Sequence, residues 1–214
     1  MLNITKKIGT CIITSVYIAS CQVIGPVSNA QLAQTLVSNP NYLDQCKSLN
    51  PIKLSEQISY KNVWPGKTKA SEVESILGTP QEKSSFDGGT NLVYGKSEFF
   101  VSVENGLVTY IVVDPNPETN LSITLEEVIL RHGCPDVILA FNTTEDQSGY
   151  NSVRLIYSTI GMEISFANYP TSLGSSALNT SYFPPMTVQE FFDTYSWTEM
   201  RFFTQPVEWS EAIK

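Results

Sequence analysis

The sequence predicts an α+β protein with two tandem small units, each a helix or helical hairpin packed on an antiparallel sheet, plus a C-terminal helix. The first observation is an internal repeat: residues 68–80 align with residues 123–135 at an offset of 55 and share Glu, Val, Gly and Pro. In each copy a Gly and then a Pro follow an amphipathic run, a pattern that ends a helix with a left-handed cap. The second observation is that strand-like sequence follows each predicted helix.

Three apolar or alternating segments follow each predicted helix and favour strands. Between two of them Asn105-Gly106 is the strongest short hairpin signal, because both turn residues must tolerate positive φ. Residues 84–90 and 170–180, which are rich in Ser and Gly, are predicted to form a turn and a loop. The predicted strands are 91–94, 98–104 and 107–113 in the first unit, and 137–142, 152–158 and 162–166 in the second.

The end of the chain carries a further helix signal. Thr187 and Glu190 have the spacing of a capping box, and this predicts a helix over residues 187–195. Between the two units, Pro115 and Pro117 predict a linker because Pro interrupts a strand ladder. The predicted organisation is a signal peptide at 1–20, a tether and N-terminal segment at 21–57, the first unit at 58–114, the second unit at 118–168, and a C-terminal loop, helix and aromatic tail at 169–214.

The first twenty-one residues predict export and a lipid anchor. Lys6 and Lys7 precede an uncharged run over residues 8–20, which is too short to span a bilayer and is typical of a secretory signal peptide. The run ends in the letters IASC, which resemble the lipobox of bacterial lipoproteins. The resemblance implies cleavage before Cys21 and attachment of lipid chains such as palmitate. The alternative is an ordinary signal peptide that is cleaved after Ala30.

The charge of the chain limits its partners. Without residues 1–20 the chain has 194 residues, with 11 basic and 21 acidic side chains and a formal charge of −10. This balance argues against nucleic acid and against lying flat on an anionic lipid surface, since both need clustered Lys and Arg.

Removal of the leader and lipidation leave Cys46 and Cys134, which form either a disulfide or two buried thiols. No Cys and His spacing predicts a metal site, and no cofactor motif is present.

A short motif carries a family resemblance. The string WPGKT at residues 64–68, then Val73, then LGTP at residues 77–80, resembles the start of the SmpA/OmlA domain of BamE-like lipoproteins. The resemblance implies a helical hairpin packed on a small antiparallel sheet, and a weaker second copy lies at 118–168. Two such units in tandem are similar to the architecture of β-lactamase inhibitory proteins. The chain departs from the first group by its second copy and tail, and from the inhibitors by lacking paired Cys within each unit.

Few residues have catalytic chemistry. The single His, His132, falls at the repeat position of Leu77 on the inward helical stripe, so a structural role is predicted rather than a general base. Paired carboxylates that hydrolyse glycosides remain an alternative, because Asp and Glu are common in the chain. The aromatic residues of the tail are predicted to cover the edge of the second sheet, with a binding surface as the alternative; they are Tyr182, Phe183, Trp197, Phe202 and Trp209.

The candidate binding surface consists of Tyr94, Phe100 and Tyr110, on the expectation that all three point away from the helices. Alternation along the strand separates Phe100 from Phe99. A free aromatic face with acidic residues around it would suit a basic partner. The sequence therefore predicts a non-catalytic envelope lipoprotein, anchored on the extracytoplasmic side of a membrane, that binds an unidentified envelope protein. The alternatives are a glycan-acting enzyme of the cell wall and an inhibitor of a secreted enzyme.

Overall fold

The computed structural model describes residues 46, 56–95, 99–114, 123–141, 151–195, 205–207 and 209–213. In chain order the elements are α1 (Ala70–Leu77), β1 (Glu82–Phe86), β2 (Gly89–Tyr94), β3 (Phe99–Glu104), β4 (Leu107–Val113), α2 (Leu125–His132), β5 (Val137–Phe141), β6 (Ser152–Tyr157), a 3₁₀ turn (Ser158–Ile160), β7 (Met162–Ala167), β8 (Ala177–Tyr182), α3 (Val188–Thr194), β9 (Gln205–Pro206) and α4 (Trp209–Ala212). Cys21, the predicted tether and linker, and Trp197 and Phe202 lie outside the described residues.

The nine strands of the described part form one antiparallel sheet in the order β1-β2-β3-β4-β8-β7-β6-β5-β9. The predicted α+β class is confirmed. The strands after α1 and those after α2 meet where β4 pairs with β8, with Ile111 opposite Tyr182 and Val113 opposite Thr180. The sheet is therefore continuous across the two predicted units, and pairing of β4 with β8 leaves neither strand as an exposed edge at this point. No helix among the described residues is both long enough and apolar enough to cross a membrane.

Three strands were not predicted: β1, β8 and the two-residue β9 in the tail. β1 occupies part of the predicted turn at 84–90, and β8 occupies part of the predicted loop at 170–180. Every residue of β1 is exposed, and β8 has polar side chains at Asn179, Thr180 and Ser181. Neither strand has the apolar alternation that marks a half-buried strand in sequence. Both form because their backbones pair with neighbouring strands, β1 with β2 and β8 with β4 and β7.

The ends of α1 and α2 are alike. Gly78 after α1 has φ 86° and ψ −173°, and Gly133 after α2 has φ 83° and ψ −165°. In both cases the Gly N–H donates to the carbonyl four residues earlier. The positive φ agrees with the predicted caps, but the ψ angle does not, so the prediction of a left-handed cap is wrong. This backbone region is open essentially to glycine alone.

The two faces of the sheet are covered differently. On one face, the helical face, Val73 of α1 packs with residues of β2–β4, and Leu125, Val128 and Ile129 of α2 pack with residues of β5–β8. On the opposite face, the α3 face, Phe191 and Phe192 pack with residues of β5 and β6. Strand pairing shows that each face is continuous. On the α3 face, residues paired from strand to strand form a single row across eight strands. The row is Glu82, Val93, Phe100, Val112, Ser181, Glu163, Ile156 and Val137.

Cys46 is covalently linked to the chain just after the end of α2. Cys46 and Cys134 form a disulfide with a Cα separation of 5.8 Å. This is one of the two alternatives that the sequence left open. Cys46 is fully buried and lies in the same cluster as α2, with Cys134 packed against it. The bond joins two positions that are 88 residues apart in sequence, and α1 and β1–β4 lie between them along the chain.

Candidate functional site: an aromatic groove on the α3 face

Phe100 lies on the α3 face, away from α1. Val93 and Val112 are its partners on the neighbouring strands β2 and β4, and all three side chains are partly exposed. The adjacent residue Phe99 points to the helical face, where it is 7% exposed within the cluster around Val73. The register of the sheet therefore places Phe100 on the side that was expected for the candidate binding surface.

Tyr94 lies on the wrong face for a binding surface. It pairs with Phe99 in the register of β2 and β3, and side chains of paired residues share a face. Its ring stacks on that of Phe99 with a centroid distance of 4.8 Å, and the residue is 4% exposed. The prediction that Tyr94 joins Phe100 and Tyr110 is therefore wrong. Tyr94 is six residues from Phe100 in sequence, but only the strand register decides which face each one occupies.

Tyr110 is on the α3 face but is largely covered by the segment that leads into α3 and by α3 itself. Its ring centroid is 6.5 Å from that of Phe183 and 5.6 Å from that of Tyr195. Burial is the main cause that raises the pKa of Tyr110, with a further contribution from the Glu163 carboxylate, while a hydrogen bond with Ser181 opposes the shift. The Tyr110 hydroxyl is thus neutral at physiological pH, and the ring forms the inner wall of the site.

A groove of about 480 Å³ lies between β1–β4 and the segment around α3. Its volume is in the range of about 300–1,000 Å³ that is common for small-ligand sites. Three aromatic rings, those of Phe86, Tyr110 and Tyr195, line it together with the polar side chains of Asn91, Ser102 and Glu104. The Ser102 hydroxyl donates to Asn91 Oδ1 at 2.7 Å, so these two polar groups are already paired with each other.

Glu104 is the charged residue of this groove, and an aromatic ring lies beside it. Phe86 and Glu104 flank Gly89 across neighbouring strands. A Cβ atom at Gly89 would lie only 2.8 Å from Glu104 Cγ and still closer to the Phe86 ring. The absence of a side chain at Gly89 therefore lets the ring and the carboxylate approach each other. The described hydrogen bond to the Glu104 carboxylate comes from the Thr109 hydroxyl at 3.4 Å, a long and weak contact.

Tyr195 closes the groove from the end of α3. Its ring packs on Phe191, with a centroid distance of 5.3 Å, and on Phe183, with a distance of 5.5 Å. Burial raises the pKa of Tyr195, and the nearby charges of Glu104 and Glu163 raise it further. Tyr195, Glu104 and Phe86 come from three distant parts of the sequence, so no local pattern could have identified them as one site.

The same face holds a buried ion pair further along the row. Arg154 of β6 and Glu163 of β7 form a salt bridge, and the Arg154 guanidinium also lies 4.2 Å from the centre of the Phe141 ring. Burial raises the pKa of Glu163, while the Arg154 charge and the Ser165 hydroxyl oppose the shift. This pair belongs to the part of the face that α3 covers, and its charges are compensated internally.

His132 has the structural position that the repeat predicts. It ends α2, and its ring meets that of Tyr157 edge to face at 6.3 Å. Burial lowers the pKa of His132, and the positive charge of Arg131 lowers it further. A helix C-terminus favours a charged imidazole, whereas burial favours the neutral ring. No group of three or more His, Cys, Asp or Glu residues in the described ranges is arranged to hold a metal ion.

Most of the carboxylates that the structure describes have structural partners. Glu127 accepts from the Thr124 N–H at 2.9 Å, and Glu190 accepts from the Thr187 N–H at 2.8 Å, which confirms the capping box predicted before α3. Glu74 pairs with Lys83 on the helical face. Of the tail aromatics, Phe183 is fully buried in the cluster under α3, and Tyr182 packs against the cluster around Val73. Both act as core residues.

No protein-family model matches the sequence, and no curated protein matches it. Three solved structures are similar at a low level. A cysteine-rich secretory protein from Staphylococcus aureus has 13% identity and a TM-score of 0.41 over 73% of this chain and 55% of that one. A DUF4309 family protein from Bacillus subtilis has 13% identity and a TM-score of 0.41 over 75% and 99%. An extracellular protein with an SCP domain from Bacillus anthracis has 10% identity and a TM-score of 0.35 over 66% and 51%.

The chain thus spans about half the length of the first and third of these proteins. All three TM-scores are below 0.5, and no identity exceeds 13%.

Proposed function

We propose that this chain is an envelope protein, anchored through lipid on Cys21, that binds another protein through the α3 face of β1–β4 and catalyses no reaction. The observation that carries the proposal is the composition of this face. It has the aromatic residues Phe86 and Phe100 and the carboxylates of Glu82 and Glu104. The one basic residue within β1–β4 is Lys83, which lies on the opposite face and pairs with Glu74.

The chemistry of this face favours a basic protein partner. Aromatic residues supply large contact areas in protein interfaces, and they are enriched among the residues that contribute most to binding. The carboxylates attract positive charge, and the acidic balance of the whole chain, −8 with its leader, adds a long-range contribution. Association should therefore become weaker as salt is added, because ions screen the attraction.

The glycan-acting alternative receives less support from the groove. Hydrolysis by paired carboxylates requires an acid and a second carboxylate on opposite sides of the scissile bond, about 5–9.5 Å apart. Among the described residues that line the groove, Glu104 is the one carboxylate. Glu163 lies on the same face, but it is 2% exposed and is paired with Arg154.

We also propose that the chain is a tandem duplication of a BamE-like unit. α1 and α2 each have eight residues, and each ends at a glycine in the same unusual backbone conformation. Four strands follow each helix, β1–β4 and β5–β8, and the two groups occur in mirrored order across the sheet. In this proposal β8 belongs to the second unit and extends it beyond the predicted boundary at residue 168. An experimental structure in which superposing α1 on α2 does not bring β1–β4 onto β5–β8 would disprove it.

Site-specific crosslinking tests the binding function. One full-length variant carries a photoreactive residue in place of Phe100. A control variant carries it in place of Leu130, which is 48% exposed on the helical side. We expect a protein to be trapped in intact envelopes at position 100, more strongly at low salt, and not at position 130. Equal trapping at both positions, or only lipid at position 100, would refute the proposed surface. Cleavage of envelope polysaccharide by the purified protein would replace the proposal with the enzyme alternative.

A further inference from the structure

The groove on the α3 face combines a carboxylate with aromatic rings. Glu104 lies beside the Phe86 ring across Gly89, and the Tyr195 ring is close enough for the Glu104 charge to raise its pKa. The long contact from Thr109 leaves most of the hydrogen-bonding capacity of this carboxylate unused by the described residues. None of the described residues that line the groove is basic. The groove therefore presents negative charge without a cation from its own lining.

The geometry points to a site for one cationic side chain, a lysine or an arginine, which a bound protein would insert into this groove. The Glu104 carboxylate is the counter-ion, and the Phe86 and Tyr195 rings bound the site. This inference rests on the proposed function, because it assigns the partner's anchoring side chain to the same surface. A cation over an aromatic ring is attracted by the electron-rich face of that ring, and a charge-assisted hydrogen bond to the carboxylate fixes its position.

The remaining groups of the groove fit the rest of such a side chain. The aliphatic stems of lysine and arginine bury themselves against apolar surface while the charged end stays at a polar group. Met186 and Pro184 line the groove together with the aromatic rings and supply that apolar surface. The paired Asn91 and Ser102 side chains are also within the groove and offer hydrogen bonds to an arginine, which has five donors, or to the peptide backbone.

Methionine methyl groups provide a direct test in solution. Met186 lines the groove, whereas Met162 is buried in the core on the helical face and serves as an internal control. The full chain, labelled with ¹³C-methyl methionine, is titrated with Nα-acetyl-lysinamide, Nα-acetyl-argininamide and the neutral Nα-acetyl-norleucinamide. A Met186→Leu variant assigns the resonance. We expect both cationic amides to shift the Met186 methyl signal saturably, at least threefold more tightly than norleucinamide, and to leave Met162 unchanged.

Variants separate the charge from the shape of the groove. Glu104→Gln should abolish the preference for the cationic amides while the Met162 signal reports an intact fold. Glu126→Gln removes the same charge from an exposed position on α2 and should leave the preference unchanged. Phe86→Leu keeps an apolar side chain but removes the ring, and it should weaken argininamide binding about two- to fivefold.

The outcomes distinguish this inference from the proposed function. If the cationic amides bind no better than norleucinamide, or if their preference survives Glu104→Gln, the cationic site is refuted. A protein crosslinked at position 100 would then still support the binding function. If the cationic amides bind as expected but nothing is trapped at position 100, the site stands and the proposed protein partner does not.

Discussion

Arg154 Nη1 of β6 lies 3.0 Å from Glu163 Oε1 of β7, and the two side chains are 11% and 3% exposed. The pair sits on the α3 face, beside Ile156 and the Phe191–Phe192 cluster. Burial of two charges costs free energy, and their mutual attraction only offsets this cost when both partners are present. Each side chain of the pair therefore stabilises the fold mainly by compensating the buried charge of the other.

Removal of Arg154 alone should be strongly destabilising. We expect Arg154→Met to lower the free energy of unfolding by about 3–5 kcal/mol at neutral pH, because a buried carboxylate then loses its counter-ion. The double variant Arg154→Met/Glu163→Leu should recover most of this loss. Chemical denaturation of the two variants measures the difference. Equal losses in the single and double variants would show that the charge of Glu163 is not the cause.

The stability of the same variant, Arg154→Met, should change with pH in a defined direction. Burial raises the folded-state pKa of Glu163 above the ordinary value of 4.5. The contribution of such a carboxyl to stability is fully present below that ordinary value and is lost as the pH rises through the folded-state pKa. Because Arg154 opposes the shift, its removal raises this pKa further. The stability deficit of Arg154→Met should therefore shrink as the pH falls from neutral toward 4.5, and a deficit that grows over this range would contradict the assignment.

The glycine that ends α1 offers a test of backbone conformation alone. A Cβ atom at Gly78 would meet no atom within 4 Å, but φ there is +86°. We expect Gly78→Ala to lower the free energy of unfolding by about 1–3 kcal/mol through backbone strain, without a steric clash. Gly174→Ala is the matched control, since Gly174 is also free of neighbours and does not have positive φ. Thermal melting of both variants provides the measurement. Equal melting temperatures for Gly78→Ala and Gly174→Ala would count against backbone strain at Gly78.

The disulfide between Cys46 and Cys134 should contribute strongly to stability. A crosslink that closes a loop of 88 residues contributes about 4–5 kcal/mol in the chain-entropy model, and measured values are often lower. We expect reductant to lower the melting temperature of the wild-type protein. The Cys46→Ala/Cys134→Ala variant should melt near the reduced protein and should not respond to reductant. A wild-type protein that is equally indifferent to reductant would exclude a stabilising bond.

The lipid anchor remains a prediction of the sequence, because Cys21 lies outside the described residues. The protein from the membrane fraction should begin at Cys21 and carry the mass of two or more acyl chains, since a single chain anchors only marginally. Cys21→Ser should release the protein from the membrane, whereas Cys11→Ser, in the leader, should not. Intact-mass analysis provides the measurement. An unmodified terminus at Ala30 or Gln31 would replace the lipoprotein with an ordinary exported protein.

Local signals in the sequence determined α1, α2 and α3, their ends and the main hairpin. The Gly and Pro that follow α1 and α2, the capping box at Thr187 and the Asn105-Gly106 turn act within a few residues, so neighbouring side chains and allowed φ angles are sufficient to specify them. The apolar segments that became β2–β7 were recognisable for the same reason. Their side chains are selected for a buried face, and this selection leaves a pattern in the sequence.

Tertiary structure decided which strands pair, which face each aromatic residue occupies and where the groove lies. β1 and β8 carry little apolar pattern, and their hydrogen bonds to distant strands are what define them. Tyr94 lies on the helical face and Phe100 on the α3 face because the pairing of β2 with β3 fixes the register, and a shift of one residue would exchange the faces. Phe86, Glu104 and Tyr195 meet in the groove only because β1, β3 and the end of α3 converge there. Long-range contacts of this kind depend on chain topology, which no short stretch of sequence encodes.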